Sequence, residues 1–429
     1  MFRFLGLMAL VAMLTGGACV IPQAYALSKA QGTVEPSFKQ VLLDEGIDIS
    51  GPGYEILAPI ERSGTLFSFQ LKTDFGTFPV RGTALLRKRL KELEALRRLE
   101  RTDWGALAGD GAVEAVKRPL SFLGDLVRSP VDTLSNSAEN LGQLVDGTVK
   151  TVAGETPVAA GPQREDEATS TKIAAAVVGR DRARREIAVK LGVDPYTTFA
   201  PLSAGLDKAA WSFASSNRVV RLATIFIPGG VGTAVTGVMT SAGIQEMLVE
   251  NPTILNERMR EALSDLGVSP EATRAFLGQR VLTPAEKLVF VAALQQLGPV
   301  PSLDEQVQLV AQAEHTSSAY YMVMAALMAV NYHQEQEPLI EFKLLDGVPY
   351  GRTAAGKVVV FIAGDRIGWD LAQRIALIEL QGKLERMQPV GEIEYRVYGL
   401  AQASLHEALW DRNAFIRERA PLAGSLEFH

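Results

Sequence analysis

The spacing of apolar positions changes several times along the chain, and each change predicts a different kind of element. Between Tyr54 and Thr83 the period is two. Tyr54, Ile56, Ala58 and Ile60 alternate with other residues, Ser63-Gly64 supplies a turn, and Phe67, Phe69 and Leu71 alternate against Ser68, Gln70 and Lys72. Asp74-Phe75-Gly76 then turns the chain into Phe78 and Val80. Alternate residues of a strand point to opposite faces, so the aromatic rings share one face, which needs a cover. Thr83 to Arg101 supplies it, with Leu86, Leu90, Leu93, Leu96 and Leu99 in one helical stripe and Arg87, Arg89, Lys91, Arg97 and Arg98 on the other side. A β-meander with one covering helix is therefore expected over residues 27–105. The basic side of that helix reads as a solvated face or as a surface for anionic lipid or an acidic partner.

Val116 to Val152 repeats in elevens. Pro119 and Pro130, and Leu123, Leu134 and Val145, recur at that spacing, so residues 106–152 are expected to form amphipathic helices. An eleven-residue period is about 3.67 residues per turn, which keeps an apolar stripe in line for several turns. Each proline removes an amide and favours a fresh helix start. These proline-spaced elevens resemble the surface helices of lipid-binding apolipoproteins. The resemblance is confined to this stretch and implies a helix lying in a membrane interface; an extended arm wrapping the other domains is the alternative. Residues 153–172 carry Gly154, Pro157, Gly161, Pro162 and the acidic Glu165, Asp166 and Glu167 without apolar period, the pattern of a flexible linker.

Over residues 173–338 the period is helical. Ser269-Pro270-Glu271 and Thr283-Pro284-Ala285-Glu286 are helix starts, Ser302-Leu303-Asp304-Glu305 reads as a further capping box, and Gly267, Gly278 and Gly298 fall where helices stop. Two runs carry no charge. Thr316 to Tyr332 falls at or below the roughly 17 to 25 residues of a spanning helix and reads as the central helix of a bundle. Leu222 to Ile244 is divided by Pro228-Gly229-Gly230, and Gly229, Thr233, Gly237 and Ser241 then recur every four residues, a small-residue ridge that lets another helix approach closely. The expectation is a buried helix pair, with entry into a membrane as the open alternative.

Residues 339–429 change period again. Leu339 to Leu345, Val348 to Arg352 and Val358 to Ala363 read as strands, with Asp346-Gly347 a hairpin turn. Ile367 to Met387 reads as a helix, Glu392 to Tyr398 as a strand and Ala401 to Arg417 as a helix. The fold class is α+β and predominantly helical: a small N-terminal antiparallel β-meander with a covering helix, then a larger helical domain ending in a small sheet with helices.

Composition narrows the partners. At 429 residues and 47% hydrophobic the chain can bury real cores, and a net charge of −6 from intermixed signs lacks the basic footprint of nucleic-acid binding. Residues 1–26 read as a secretory signal peptide: Arg3 begins it, Leu5 to Leu14 forms the apolar region and Ala24-Tyr25-Ala26 is the cleavage site. Cys19, the single cysteine, follows Gly17-Ala18 and offers a competing lipoprotein site, although Gly16 stands where leucine is usual. Cleavage after Ala26 would remove every thiol from the mature chain.

Complete catalytic motifs are missing from the sequence. Gly351 to Lys357 follows a phosphate-loop pattern until Val358 replaces the Ser or Thr that would hold magnesium, and a strand rather than a helix follows, so a hairpin loop is expected. Pro201-Leu202-Ser203-Ala204-Gly205 resembles a nucleophile elbow without its first glycine; Ser203 would need His315, His333 or His406 as base. His333, Glu335, Glu337 and Glu341 form a metal candidate if the chain folds back after Pro338. No cofactor is expected. The leading reading is an exported bacterial cell-envelope protein that binds a membrane surface or an envelope protein, or assembles as a homo-oligomer, rather than an enzyme. The alternatives are a periplasmic hydrolase and a secreted membrane-inserting factor.

Overall fold

The computed structural model describes residues 37–102, 179–214, 239–240, 242–368, 370–387 and 391–426. The signal segment with Cys19, the eleven-residue repeat with Leu123, Leu134 and Val145, the linker, and Gly229, Thr233, Gly237 and Ser241 lie outside the described residues. The fold is α+β and mostly helical, with an antiparallel sheet near the N-terminus and a mixed sheet near the C-terminus.

A short helix α1 (Phe38–Asp44) leads into a four-stranded antiparallel sheet in the order β1 (Ser50–Gly51), β2 (Tyr54–Ser63), β3 (Leu66–Thr73), β4 (Gly76–Arg81). The alternation of Phe67, Phe69 and Leu71 places all three in the core, with α2 (Thr83–Arg101) laid over them through Leu86, Leu93, Leu96 and Leu99. The same core takes Ile187 and Leu191 from helix α3 (179–191) and Leu202 and Leu206 from α4 (Ala200–Ala214), so it draws on residues from both sides of the expected linker.

The second core is helical. After β5 (Met239–Thr240) come α5 (Ala242–Val249), α6 (Pro252–Asp265), α7 (Pro270–Gly278), α8 (Pro284–Leu297), α9 (Leu303–Ala311) and α10 (Thr316–Glu335). Punctuation explains most of the boundaries: Asn251, Ser269 and Thr283 cap α6, α7 and α8, each with proline in the first turn, and Thr283 with Glu286 forms the full capping box. The box expected at Ser302 is not formed. Ser302 is left-handed (φ 72°) with no side-chain cap, and the Asp304 carboxylate instead accepts from the Ser269 amide at 2.7 Å, tying α9 to the start of α7. α10 is buried on all sides from Ser317 to Val330, as a helix that is apolar all round must be. Among the described residues no helix is long and apolar enough to cross a membrane.

The C-terminal sheet has the order β12-β10-β8-β7-β6, from β6 (Leu339–Leu345), β7 (Val348–Thr353), β8 (Val358–Ile362), β10 (Ile393–Val397) and β12 (Ala414–Arg417). β6, β7 and β8 are antiparallel neighbours, whereas β10 runs parallel to both β8 and β12. Asp346 and Gly347 both have positive φ, the twist that a two-residue hairpin requires. Val359 and Phe361 face α10, and Val358, Val360 and Ile362 face a third core made with α11 (Leu371–Glu385) and α12 (Ala403–Trp410). A small parallel pair, β9 (Arg366–Ile367) with β11 (Leu400–Ala401), sits beside the sheet, and β13 (Ser425–Leu426) pairs with β5.

Two expectations in this part change. The helix expected from Ile367 begins at Leu371, because Asp370 caps it and Arg366–Ile367 pair with β11. The helix expected from Ala401 to Arg417 stops at Trp410. Asn413 turns left-handed, and Ala414–Arg417 becomes the edge strand β12.

Candidate functional site

Ser203 lies in the first turn of α4, and its hydroxyl accepts from Arg184 Nη2 at 2.9 Å. The same guanidinium pairs with Asp207 at 2.9 Å and donates to the Pro195 carbonyl at 2.6 Å. An oxygen held by a cation is a hydrogen-bond acceptor in a scaffold. His333 Nδ1 accepts from the Leu339 amide at 3.1 Å and so closes the turn between α10 and β6. Burial lowers its pKa. Glu335 is exposed at the end of α10, Glu337 is half-buried, and Glu341 pairs with Lys343 and Arg352 on the sheet. Among the described residues no three His, Cys, Asp or Glu side chains are placed to hold a metal ion. The phosphate-loop look-alike is a hairpin: Arg352 and Thr353 end β7, Gly356 takes positive φ, and Lys357 pairs with Glu392 and Glu394.

The densest buried polar chemistry lies instead along α2, on residues that the apolar period does not reveal. The first amides of a helix need acceptors, and Gly82, at the cap position, has no side chain to offer one. Asp365 supplies it from the loop after β8. Its carboxylate accepts from the Thr83 amide at 3.1 Å, the Thr83 hydroxyl at 2.7 Å, the Phe67 amide at 2.9 Å and the Tyr321 hydroxyl at 2.6 Å. Tyr321, from α10, in turn accepts from the Ala84 amide at 3.2 Å. The Thr65 carbonyl closes the ring by accepting from the amides of Asp365 and Arg366 at 2.9 and 3.0 Å. Four chain segments therefore meet at one fully buried carboxylate. Backbone crowding requires glycine here. A Cβ on Gly82 would run into the Tyr321 hydroxyl, and one on Gly399 into the Asp365 carbonyl. Burial pushes the Asp365 carboxyl above its ordinary pKa, against the downward pull of the donors around it, and burial with the adjacent carboxylate holds the Tyr321 phenol well above its own.

Just over one turn along α2, Lys88 enters a second buried set. Its ammonium meets Glu286 at 2.7 Å and Asp194 at 3.5 Å, and lies 5.8 Å from the centre of the Tyr320 ring. Thr283 serves both carboxylates: its hydroxyl donates to Asp194 at 2.6 Å and its amide to Glu286 at 2.8 Å. Burial pulls the Lys88 pKa down, but Glu286, Asp194 and Glu92 push harder and leave it above its ordinary value. Asp194 is raised, by burial first, with Lys88 opposing. Neighbouring cations follow the same rule. Arg87 pairs with Glu45 at 2.8 Å and donates to the Tyr398 hydroxyl at 3.1 Å, and Arg89 pairs with the buried Glu92, whose other oxygen accepts from Thr197. Of the basic side expected to face solvent or lipid, Arg87 and Arg89 are half-buried and tied to Glu45, Tyr398 and Glu92, and Lys88 between them, its side chain only 10% exposed, is held against Glu286.

Arg366 completes the junction from the other side. It is buried, lies 5.8 Å from the Phe67 ring centre and pairs with Asp44 at 2.7 Å, which fixes α1 to the loop after β8. Chemically the arrangement can hold charge and restrain chain segments. Sequence signals for it exist: a helix start without a capping side chain, and the charged pair Asp365-Arg366 just past the all-apolar Val358 to Ala363. No protein-family model, curated protein or solved structure matches the chain.

Proposed function

We propose that the chain is an exported bacterial cell-envelope protein that acts by binding, at a membrane surface or within an envelope assembly, rather than by catalysis. The observation that carries this reading is the use to which reactive side-chain types are put. Ser203 is held by Arg184, His333 closes a turn, and Asp365, Lys88, Asp194 and Glu286 join chain segments, so each is committed to architecture. Export rests on the sequence of residues 1–26, and lipid contact on the eleven-residue repeat. Because Arg87, Lys88 and Arg89 are each paired with a carboxylate of the protein, lipid contact is assigned to the repeat rather than to α2.

Flotation of the mature chain with anionic liposomes tests the lipid part, with the full chain expected to float and a chain lacking Val116 to Val152 expected to remain below. If both stay wholly soluble, the membrane-surface reading is abandoned. Cell fractionation tests export, which recovery only in the cytoplasm would overturn. A hydrolase screen comparing wild type with Ser203→Ala addresses the catalytic alternative; hydrolysis abolished in the variant would replace the binding reading. Dye release from liposomes addresses insertion.

A further inference from the structure

Strand β10 carries charge where its neighbour β8 carries valine and phenylalanine. The register sets Glu394 between Val359 and Phe415, and Arg396 between Phe361 and Arg417. Paired residues share a sheet face, so two rows cross the sheet on the side that meets α10. α10 packs over β7 and β8, where Tyr332 stands edge-on to Phe361 at 6.4 Å. On β12, beyond it, Phe415 is half-buried and Arg417 exposed.

Three cations converge there on one carboxylate. Glu394 lies 2.7 Å from Lys357, 3.4 Å from Arg396 and 3.8 Å from Arg417, and Lys357 also reaches Glu392 at 2.8 Å. Three positive charges against two negative leave a surplus of one. The buried member is Arg396, only 5% exposed, with its guanidinium 5.0 Å from the centre of the Tyr332 ring. Among the described residues its Nε and Nη1, both buried, have no hydrogen-bond partner, since the approach to Glu394 lacks hydrogen-bond geometry. Burial lowers the Arg396 pKa; Glu394 opposes this and Arg417 adds to it. A buried guanidinium with unfilled donors is costly unless something completes it.

We propose that this cluster binds a carboxylate or phosphate group carried on an apolar body. Arg396 supplies unfilled donors and the exposed Arg417 supplies charge at the surface, both in the planar form suited to oxyanions. Glu392 and Glu394 offset two of the three positive charges and leave one for the ligand to meet. The apolar body meets Phe415 and Trp410, whose rings stand edge to face at 5.0 Å with Trp410 67% exposed. The 68% exposed side chain of Arg417 marks the open side. The site uses no part of the eleven-residue repeat and is independent of the lipid reading.

Calorimetric titration of the full chain at constant ionic strength, with acetate, inorganic phosphate, N-acetylphenylalanine and phenyl phosphate, tests it. Saturable binding of at least one ring-bearing anion is expected, about tenfold tighter than its ring-free counterpart. Whether the carboxylate or the phosphate of the pair binds identifies the group. Arg396→Met should abolish binding, and Arg417→Gln, a surface change that leaves the fold in place, should weaken it about tenfold. No saturable binding by any of the four, or binding unchanged in Arg417→Gln, overturns the proposal. Equal binding with and without the ring overturns its apolar part.

Discussion

Helices α2 and α10 meet at the Asp365 junction, yet they are held by opposite means. α10 is buried around its whole circumference, and nearly all its contacts are apolar and non-directional. α2 buries Leu86, Leu93, Leu96 and Leu99 together with the polar Thr83 and Glu92; its start and its cations are fixed by a few directional bonds to Asp365, Tyr321, Glu286, Asp194 and Glu45. Apolar packing is lost in proportion to the volume removed. A buried ionic or hydrogen-bonded connector is lost all at once, because its partners remain buried and unsatisfied. The α2 side should therefore fail abruptly and the α10 side by degrees.

Asp365→Ala is the strongest way to break the contrast. It strips acceptors from the Phe67 and Thr83 amides and from two hydroxyls, and should cost on the order of 4 kcal/mol or more in urea unfolding. Asp365→Asn keeps an acceptor and should cost clearly less; equal losses would mean that charge, not capping, matters. Lys88→Met comes next, at about 3–5 kcal/mol, because Asp194 and Glu286 are left without their cation. A stability gain would show that this ion pair is replaceable by packing. On the α10 side, Leu327→Ala should cost about 2–5 kcal/mol, and the milder Val330→Ala less, a graded series that α2 should not show.

The smallest effect is a pH dependence. His333 has a folded pKa below its ordinary 6.5 because burial, together with its acceptor role toward Leu339, favours the neutral ring. The unfolded chain then binds the proton more readily, so this contribution is present above about pH 6.5 and is lost as pH falls toward the folded pKa. Denaturation of wild type and His333→Gln between pH 5 and 8 should show the wild-type slope flattened in the variant. Identical slopes would remove His333 from the balance.

What the sequence revealed follows the same division. The meander, the leucine stripe of α2, the capping box at Thr283 and the apolar α10 were legible because each is written in residues a few positions apart. Asp365 and Thr83 are 282 positions apart, and no local period connects them. β12 was hidden for a related reason: Leu405 and Leu409 fit a helix, and only pairing with β10 makes Ala414–Arg417 a strand. Ser302 illustrates the reverse case. Its local pattern is a capping box, but Asp304 is drawn away to Ser269.

The trans-acting cap on α2 has a consequence for how the chain is made. A polypeptide emerges N-terminus first, so the meander and α2 are complete long before Asp365 exists to hold them. Through that interval the start of α2 lacks its acceptor, and Lys88 waits for Glu286. Closing such distant contacts is slow, and half-assembled chains expose apolar surface. The start of α2 is therefore completed only when the segment that carries Asp365 has been made.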